Sequence, residues 1–253
     1  MKSLAQLVLV MSVIVVSKTT TAQIVNIESA RMHTDSLGMM GEINTDFSLI
    51  KNSQQIFSAD LSAHLQYKTK KDLYLFVGSY GYLKGDGDAL IDNTFFHFRY
   101  NRKLNKWLRW EAFTQLQKNT INKIDSRFLI GTGPRNKIIE RKFIKMYIAS
   151  LIMYEYQKDK TDPAVIHKDI RNSSYISLVL KPVINLEIVT TTFYQPLYKD
   201  IADYRILNQV KIKIIAGKHF GVSLNWSYLF DSMPVVGIPK VSYSLSSGLG
   251  YEF

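Results

Sequence analysis

Five histidines are the first side chains to weigh for metal or acid–base chemistry, and their spacing argues against both. His33, His64, His97, His167 and His219 lie far apart, and none forms the close-spaced ligand pair of a zinc site. There is no cysteine, so thiolate ligands, disulfides and the lipid-modified cysteine of a lipoprotein are excluded together. Two glycine-rich runs are not phosphate loops. Gly131-Thr132-Gly133-Pro134 lacks the third glycine and the helix that must follow, and Gly85-Asp86-Gly87-Asp88 lacks the lysine. The two aspartates of the second run are oxygen donors of the kind calcium takes, but a loop tip explains them as well. Lipid hydrolysis by serine and histidine would need both groups within hydrogen-bond reach on a lipid-facing surface. His64 and His97 instead take the polar face of their segments. No catalytic set, metal or cofactor is expected.

The elements that must position any functional group announce themselves by a period of two. From Phe57 to Lys68, Phe57, Ala59, Leu61, Ala63, Leu65 and Tyr67 alternate with Ser58, Asp60, Ser62, His64, Gln66 and Lys68. A strand puts these two sets on opposite faces, whereas a helix would scatter them. The alternation returns from Leu108 to Gln117 and from Phe220 to Phe230. These runs are longer than the five or six residues usual for soluble strands and match the roughly 9 to 11 of membrane strands. Twelve strands are predicted, at about 41–49, 56–68, 72–82, 93–101, 107–117, 124–135, 142–156, 172–181, 185–195, 203–215, 220–230 and 241–253. The third and seventh are apolar on both faces, so their inward sides cannot be read.

Connection lengths give a second criterion, since membrane barrels have short periplasmic turns and longer external loops. Connections 69–71, 102–106, 136–141, 182–184 and 216–219 are the short set, and 83–92, 157–171, 196–202 and 231–240 fall on the other side. Aromatic residues gather towards strand ends, as at a membrane–water interface. The fold expected is all-β, an antiparallel transmembrane β-barrel of about 12 strands over residues 41–253. Residues 1–22, with Lys2, an apolar run from Leu4 to Val16 and a polar stretch ending at Ala22, read as a cleaved signal peptide, and 23–40 as a periplasmic segment. No 18-residue apolar run remains beyond it, which argues against helical spans.

The formal charge is +11, or +9 once Lys2 and Lys18 are removed. In an exported chain this basicity points away from nucleic acid and towards the barrel wall. By parity the inner wall carries Arg99, Arg109, Arg127, Arg135, Lys145, Lys181, Arg205, Lys211 and Lys213, nine basic residues, against five acidic ones, Asp46, Asp60, Glu111, Glu155 and Glu187. Rings of basic side chains favour anions in a pore, but arginine and carboxylate can equally pair across a narrow interior and close it. Twelve strands lie between the filled eight-stranded barrel and the open sixteen-stranded one.

The last segment, Val241 to Phe253, has apolar or aromatic residues at most alternate positions and ends on phenylalanine. With Leu249, Tyr251 and Phe253 it resembles the C-terminal strand signal read by the outer-membrane barrel-assembly machinery. Asn26-Ile27-Glu28, Arg31, Asp35, Gly38 to Gly41 and the run Arg127 to Arg135 make the chain similar to the uncharacterised family named for salt-induced outer-membrane proteins. That resemblance implies an outer-membrane barrel and no assigned functional residue. The partners expected are outer-membrane lipid, the assembly machinery and small anions. Three functions stay open: a narrow anion-preferring channel, a plugged structural or surface-interaction barrel, and an outer-membrane lipid hydrolase.

Overall fold

The computed structural model describes residues 37–251 apart from 52–54, 86–88 and 217–219. The signal segment, Gly87, His219 and Phe253 lie outside the described residues, as does the side chain of Asp46. Twelve strands follow in chain order: β1 (Gly38–Lys51), β2 (Gln55–Lys68), β3 (Asp72–Lys84), β4 (Ala89–Lys103), β5 (Leu108–Asn119) and β6 (Ile124–Arg141), then β7 (Ile144–Asp159), β8 (Ile166–Val183), β9 (Leu186–Leu197), β10 (Asp200–Ala216), β11 (Phe220–Asp231) and β12 (Val241–Tyr251). Each pairs antiparallel with the next in a single sheet. β1 begins at Gly38, so it takes in three residues that sequence had assigned to the N-terminal segment.

The sheet curls. β5 and β8 have two strands between them, roughly 14 Å along a flat sheet at about 4.8 Å per strand. Yet Glu111 on β5 and Tyr175 on β8 are hydrogen-bonded at 2.6 Å. At one end, Lys123 in the β5–β6 turn donates to the carbonyl of Val236 in the β11–β12 loop at 3.0 Å, half the strand order away.

Inward and outward faces follow the alternation. Leu61, Tyr67, Leu116, Val222, Leu224 and Trp226 are exposed on the outside, and Gln66, Gln115, Gln117 and Arg127 are buried on the inside. The two unreadable strands resolve the same way. In β3, Leu75 and Val77 point in while Tyr74 and Tyr80 point out, and in β7, Leu151 and Met153 point in while Ile148 and Ile152 point out. Aromatic rows band the outer wall: Tyr67, Tyr74 and Tyr100 stand 6.1 and 5.1 Å apart at one end, and Tyr194, Tyr204 and Phe230 stand 5.8 and 5.6 Å apart at the other.

Loop lengths differ from expectation. β8 starts at Ile166, not near 172, and β7 runs to Asp159. The connection expected at 157–171 is therefore 160–165, and that at 196–202 is 198–199. Only 232–240 remains long. The alternation simply continues past the point where polar composition suggested a loop: Ile166 and Ile170 stay outside while Asp169 and Arg171 stay inside.

Candidate functional site in the barrel interior

The inner wall is neither bare nor uniformly polar. Midway along it, Phe113, Leu129, Ala149, Leu151, Met153, Tyr175, Phe193 and Leu207 form a buried apolar cluster drawn from β5 to β10. Two glutamates, each wrapped in arginine, lie beside this cluster.

The first is Glu111 on β5, fully buried at 0% exposure. One carboxylate oxygen accepts from Arg135 Nη1 of β6 at 3.1 Å. The other accepts from Arg99 Nη1 of β4 at 3.2 Å and from the Tyr175 hydroxyl at 2.6 Å. Two guanidinium groups face one carboxylate here, and aromatic faces take up the surplus. Arg99 lies over Phe113 at 5.1 Å, Arg135 over Tyr147 at 4.0 Å, and Arg109 approaches the same Tyr147 ring at 5.5 Å. The negative face of an aromatic ring attracts a cation without bringing in a second charge. His97 extends the network, its Nδ1 3.0 Å from Gln115 Oε1, while its Nε2 accepts from Arg99 at 3.3 Å.

The second is Glu155 on β7, 1% exposed. Three strands send it cations: Arg127 of β6 at 3.1 Å, Arg171 of β8 at 2.7 Å and Arg205 of β10 at 2.7 Å. Two further carboxylates balance the set. Asp203 binds Arg171 through both oxygens at 3.0 Å each, and Asp231 accepts from Arg205 Nε at 2.9 Å. Three guanidinium groups thus meet three carboxylates in a charge-balanced lattice. Taking such ions out of water costs several kcal/mol each, and only good geometry with the remaining donors satisfied repays it. The forked Arg171–Asp203 pair has that geometry.

Gly131 and Gly133, expected to leave space beside Arg127 and Arg135, do not leave it empty. A Cβ on Gly131 would lie 2.6 Å from the Phe113 ring, and one on Gly133 would lie 2.3 Å from the Ser150 carbonyl oxygen on β7. The first glycine admits the ring and the second admits the neighbouring backbone.

Of the residues predicted to line the lumen, Arg99, Glu111 and Arg135 meet in the first cluster and Arg127 and Arg205 in the second. Glu187 does not join either; it pairs with Lys181 at 2.6 Å near one end, with Lys213 opposite it in the β9–β10 ladder. Lys145 and Lys211 stand half-buried on the inner face. Sequence reading missed Arg171, Asp169, Asp203, Asp231, Asp159 and Lys137. It placed Arg171, Asp169 and Asp159 in a loop, although their parity with Glu155 and Tyr175 was visible. The missed group holds twice as many carboxylates as cations, so the basic excess of the wall is smaller than expected.

Two small cavities lie among the described inward residues. One of about 50 Å³ lies among His97, Gln115, Arg127, Glu155, Gln195 and Arg205, room for a few water molecules. A second, about 40 Å³, lies between Arg127, Gln157, Arg205 and Asp231 on the wall and Val235 and Ile238 of the 232–240 loop. That loop folds inward over the Glu155 cluster, fixed by the Lys123–Val236 bond and by Ser232, which accepts from Tyr204 N and donates to Ala202 O.

The fold is similar to that of the NanC porin in a rhombohedral crystal form, with 9% sequence identity, a TM-score of 0.51, and 85% of this chain and 98% of that chain covered. The translocator domain of the autotransporter NalP from Neisseria meningitidis, 8% identical, gives a TM-score of 0.47 with 90% and 92% covered. A KdgM porin in complex with disordered oligogalacturonate, 9% identical, gives 0.44 with 85% and 99% covered. No curated protein matches the sequence. The likeness to the NanC porin concerns the fold alone: twelve antiparallel strands forming the transmembrane β-barrel of outer-membrane proteins. Residues 51–253 match the model of a family described as a protein of unknown function, DUF481, and the chain belongs to that family.

Proposed function

We propose that this protein is an outer-membrane barrel held shut by its own interior, and that it acts through its exposed surfaces, as a structural or surface-interaction protein, and not by letting solute through. The observation that carries this reading is Glu155, which ties β6, β7, β8 and β10 together through three arginines at 2.7 to 3.1 Å. An open channel keeps its wall charges hydrated and available to ions. Here the central arginines are turned onto carboxylates and rings, the apolar cluster fills the space beside them, and the 232–240 loop covers one side.

A second reading, a narrow anion-preferring channel, draws on the half-buried Lys145, Lys211 and Lys213 towards one end of the wall. Planar-bilayer recording of the purified full chain separates the two. The plugged reading expects no steady conductance from the unaltered protein, and anion-selective currents once Glu111→Gln and Glu155→Gln release the arginines. Steady conductance from the unaltered protein, with a reversal potential under a salt gradient on the anion side, would overturn the plugged reading in favour of the channel.

A further inference from the structure

The two ends of the barrel differ in a way that the interior does not explain. At one end three lysines are paired with aspartates: Lys118 with Asp92 at 2.5 Å, Lys158 with Asp125 at 2.9 Å and Lys199 with Asp169 at 2.7 Å. At the other end, where β1 starts and β12 finishes, pairs form as well, Arg102 with Asp72 at 3.1 Å, Lys137 with Glu140 and Lys181 with Glu187 at 2.6 Å, but the turns carry further cations. The β2–β3 turn exposes Lys70 and Lys71, the β4–β5 turn is flanked by exposed Lys103 and carries Lys106, and the β6–β7 turn is entered through Arg141 and carries Lys142. Among the described residues no carboxylate pairs with any of these six.

These turns form one rim. Lys103 N donates to Lys71 O at 2.8 Å, Lys137 N to Trp107 O at 2.7 Å and Lys181 N to Phe143 O at 2.9 Å, so backbone hydrogen bonds link each turn to the next hairpin. The cations are therefore held on a fixed arc. Large apolar side chains are exposed along the same arc: Leu104, Trp107, Phe143 and Ile184. Two of them carry an ammonium group, Lys106 at 5.2 Å from the Trp107 ring centre and Lys142 at 5.4 Å from that of Phe143. Next to the arc, on the lipid-facing wall, stands the Tyr67–Tyr74–Tyr100 row.

We propose that this rim binds the anionic headgroups of phospholipids in the leaflet around it. Each half of the arrangement answers to one half of such a lipid. Lysine and arginine attract phosphate, and exposed aromatic rings settle at the headgroup level with their faces against the acyl region. A soluble anion would use the cations and leave Trp107, Phe143 and Ile184 in water with no role.

The test uses the full chain in bilayers with Trp107 as its one tryptophan, Trp110 and Trp226 being changed to phenylalanine. Its fluorescence is quenched by brominated phosphatidylglycerol or by brominated phosphatidylcholine. The expected result is a preference of roughly fivefold for the anionic lipid, of the size that one basic residue near a charged surface supplies, shrinking as salt is added. Lys103→Gln, Lys106→Gln and Lys142→Gln together should remove the preference, while Lys158→Gln with Lys160→Gln at the other end should leave it. Equal quenching by the two lipids, or a preference that survives in the rim variant, would overturn the proposal. So would abolition of the preference by glycerol phosphate in solution, which would make the ligand a free anion. Heat-modifiable migration of each variant confirms that the barrel under test is folded.

Discussion

Tyr175 donates a 2.6 Å hydrogen bond to Glu111 across the interior, joining β8 to β5 with two strands between them. The same ring lies 5.9 Å from the Arg99 guanidinium and 5.8 Å from that of Arg135, the two cations that also hold Glu111. One side chain therefore serves as donor to the carboxylate and as counter-surface to its cations. Tyr175→Phe keeps the ring and removes the donor, and should destabilise the barrel by about 1.5–3 kcal/mol, the range for hydrogen bonds to charged groups. Tyr175→Ala also empties part of the apolar cluster and should cost more, about 3–5 kcal/mol. Urea unfolding of the vesicle-inserted protein, followed by tryptophan fluorescence, measures both. No loss in Tyr175→Phe would show that the hydroxyl contributes nothing, and equal losses in the two variants would show that the ring adds nothing.

Gly133 faces the backbone of β7 so closely that any Cβ would lie 2.3 Å from the Ser150 oxygen and 2.7 Å from the Leu151 Cα. Backbone atoms cannot swing aside, so Gly133→Ala should part β6 from β7 and abolish the heat-modifiable form. Gly131→Ala meets chiefly the Phe113 ring, at 2.6 and 2.8 Å. It should be milder, and Phe113→Leu in the same chain should recover part of its loss. Heat-modifiable migration of Gly133→Ala at the normal level would refute the close approach.

Both described ends of the sheet, Gly38 and Tyr251, lie at the basic rim, and the 160–165 and 232–240 connections lie at the opposite end. If the termini lie in the periplasm, as expected of a barrel with an even number of strands, exposed Asp162 should face the cell exterior. A cysteine at Asp162 should react with an impermeant maleimide on intact cells. Reaction only after the outer membrane is broken would reverse the orientation.

Phe253 closes the segment that resembles an assembly signal. Phe253→Ser should leave export across the inner membrane unaffected and should lower the amount of folded barrel in the outer membrane, with the chain accumulating in the periplasm or being degraded there. Fractionation and heat-modifiable migration report this directly, and a normal yield of folded barrel would remove the signal from Phe253.

The alternation of apolar and polar residues determined by itself the strand class, the number of strands and the outward face of nearly every strand. Each of these depends on neighbours two positions apart in the chain, and a pleated backbone translates that spacing into opposite faces with no reference to the rest of the molecule. It also placed Arg99, Glu111, Arg127, Arg135 and Arg205 inside. It failed where that local rule was set aside: Asp159, Asp169 and Arg171 alternate as well as their neighbours do, but their polarity read as a loop. What only the tertiary structure decided is which inward groups meet. Glu155 and Arg205 are 50 residues apart, and Glu111 and Tyr175 are 64 apart. Their contact depends on the stagger of every intervening strand and on how tightly the sheet curls. A displacement of one residue pair in any ladder, invisible in composition or parity, would leave the same arginines facing water in place of the carboxylates that now hold them.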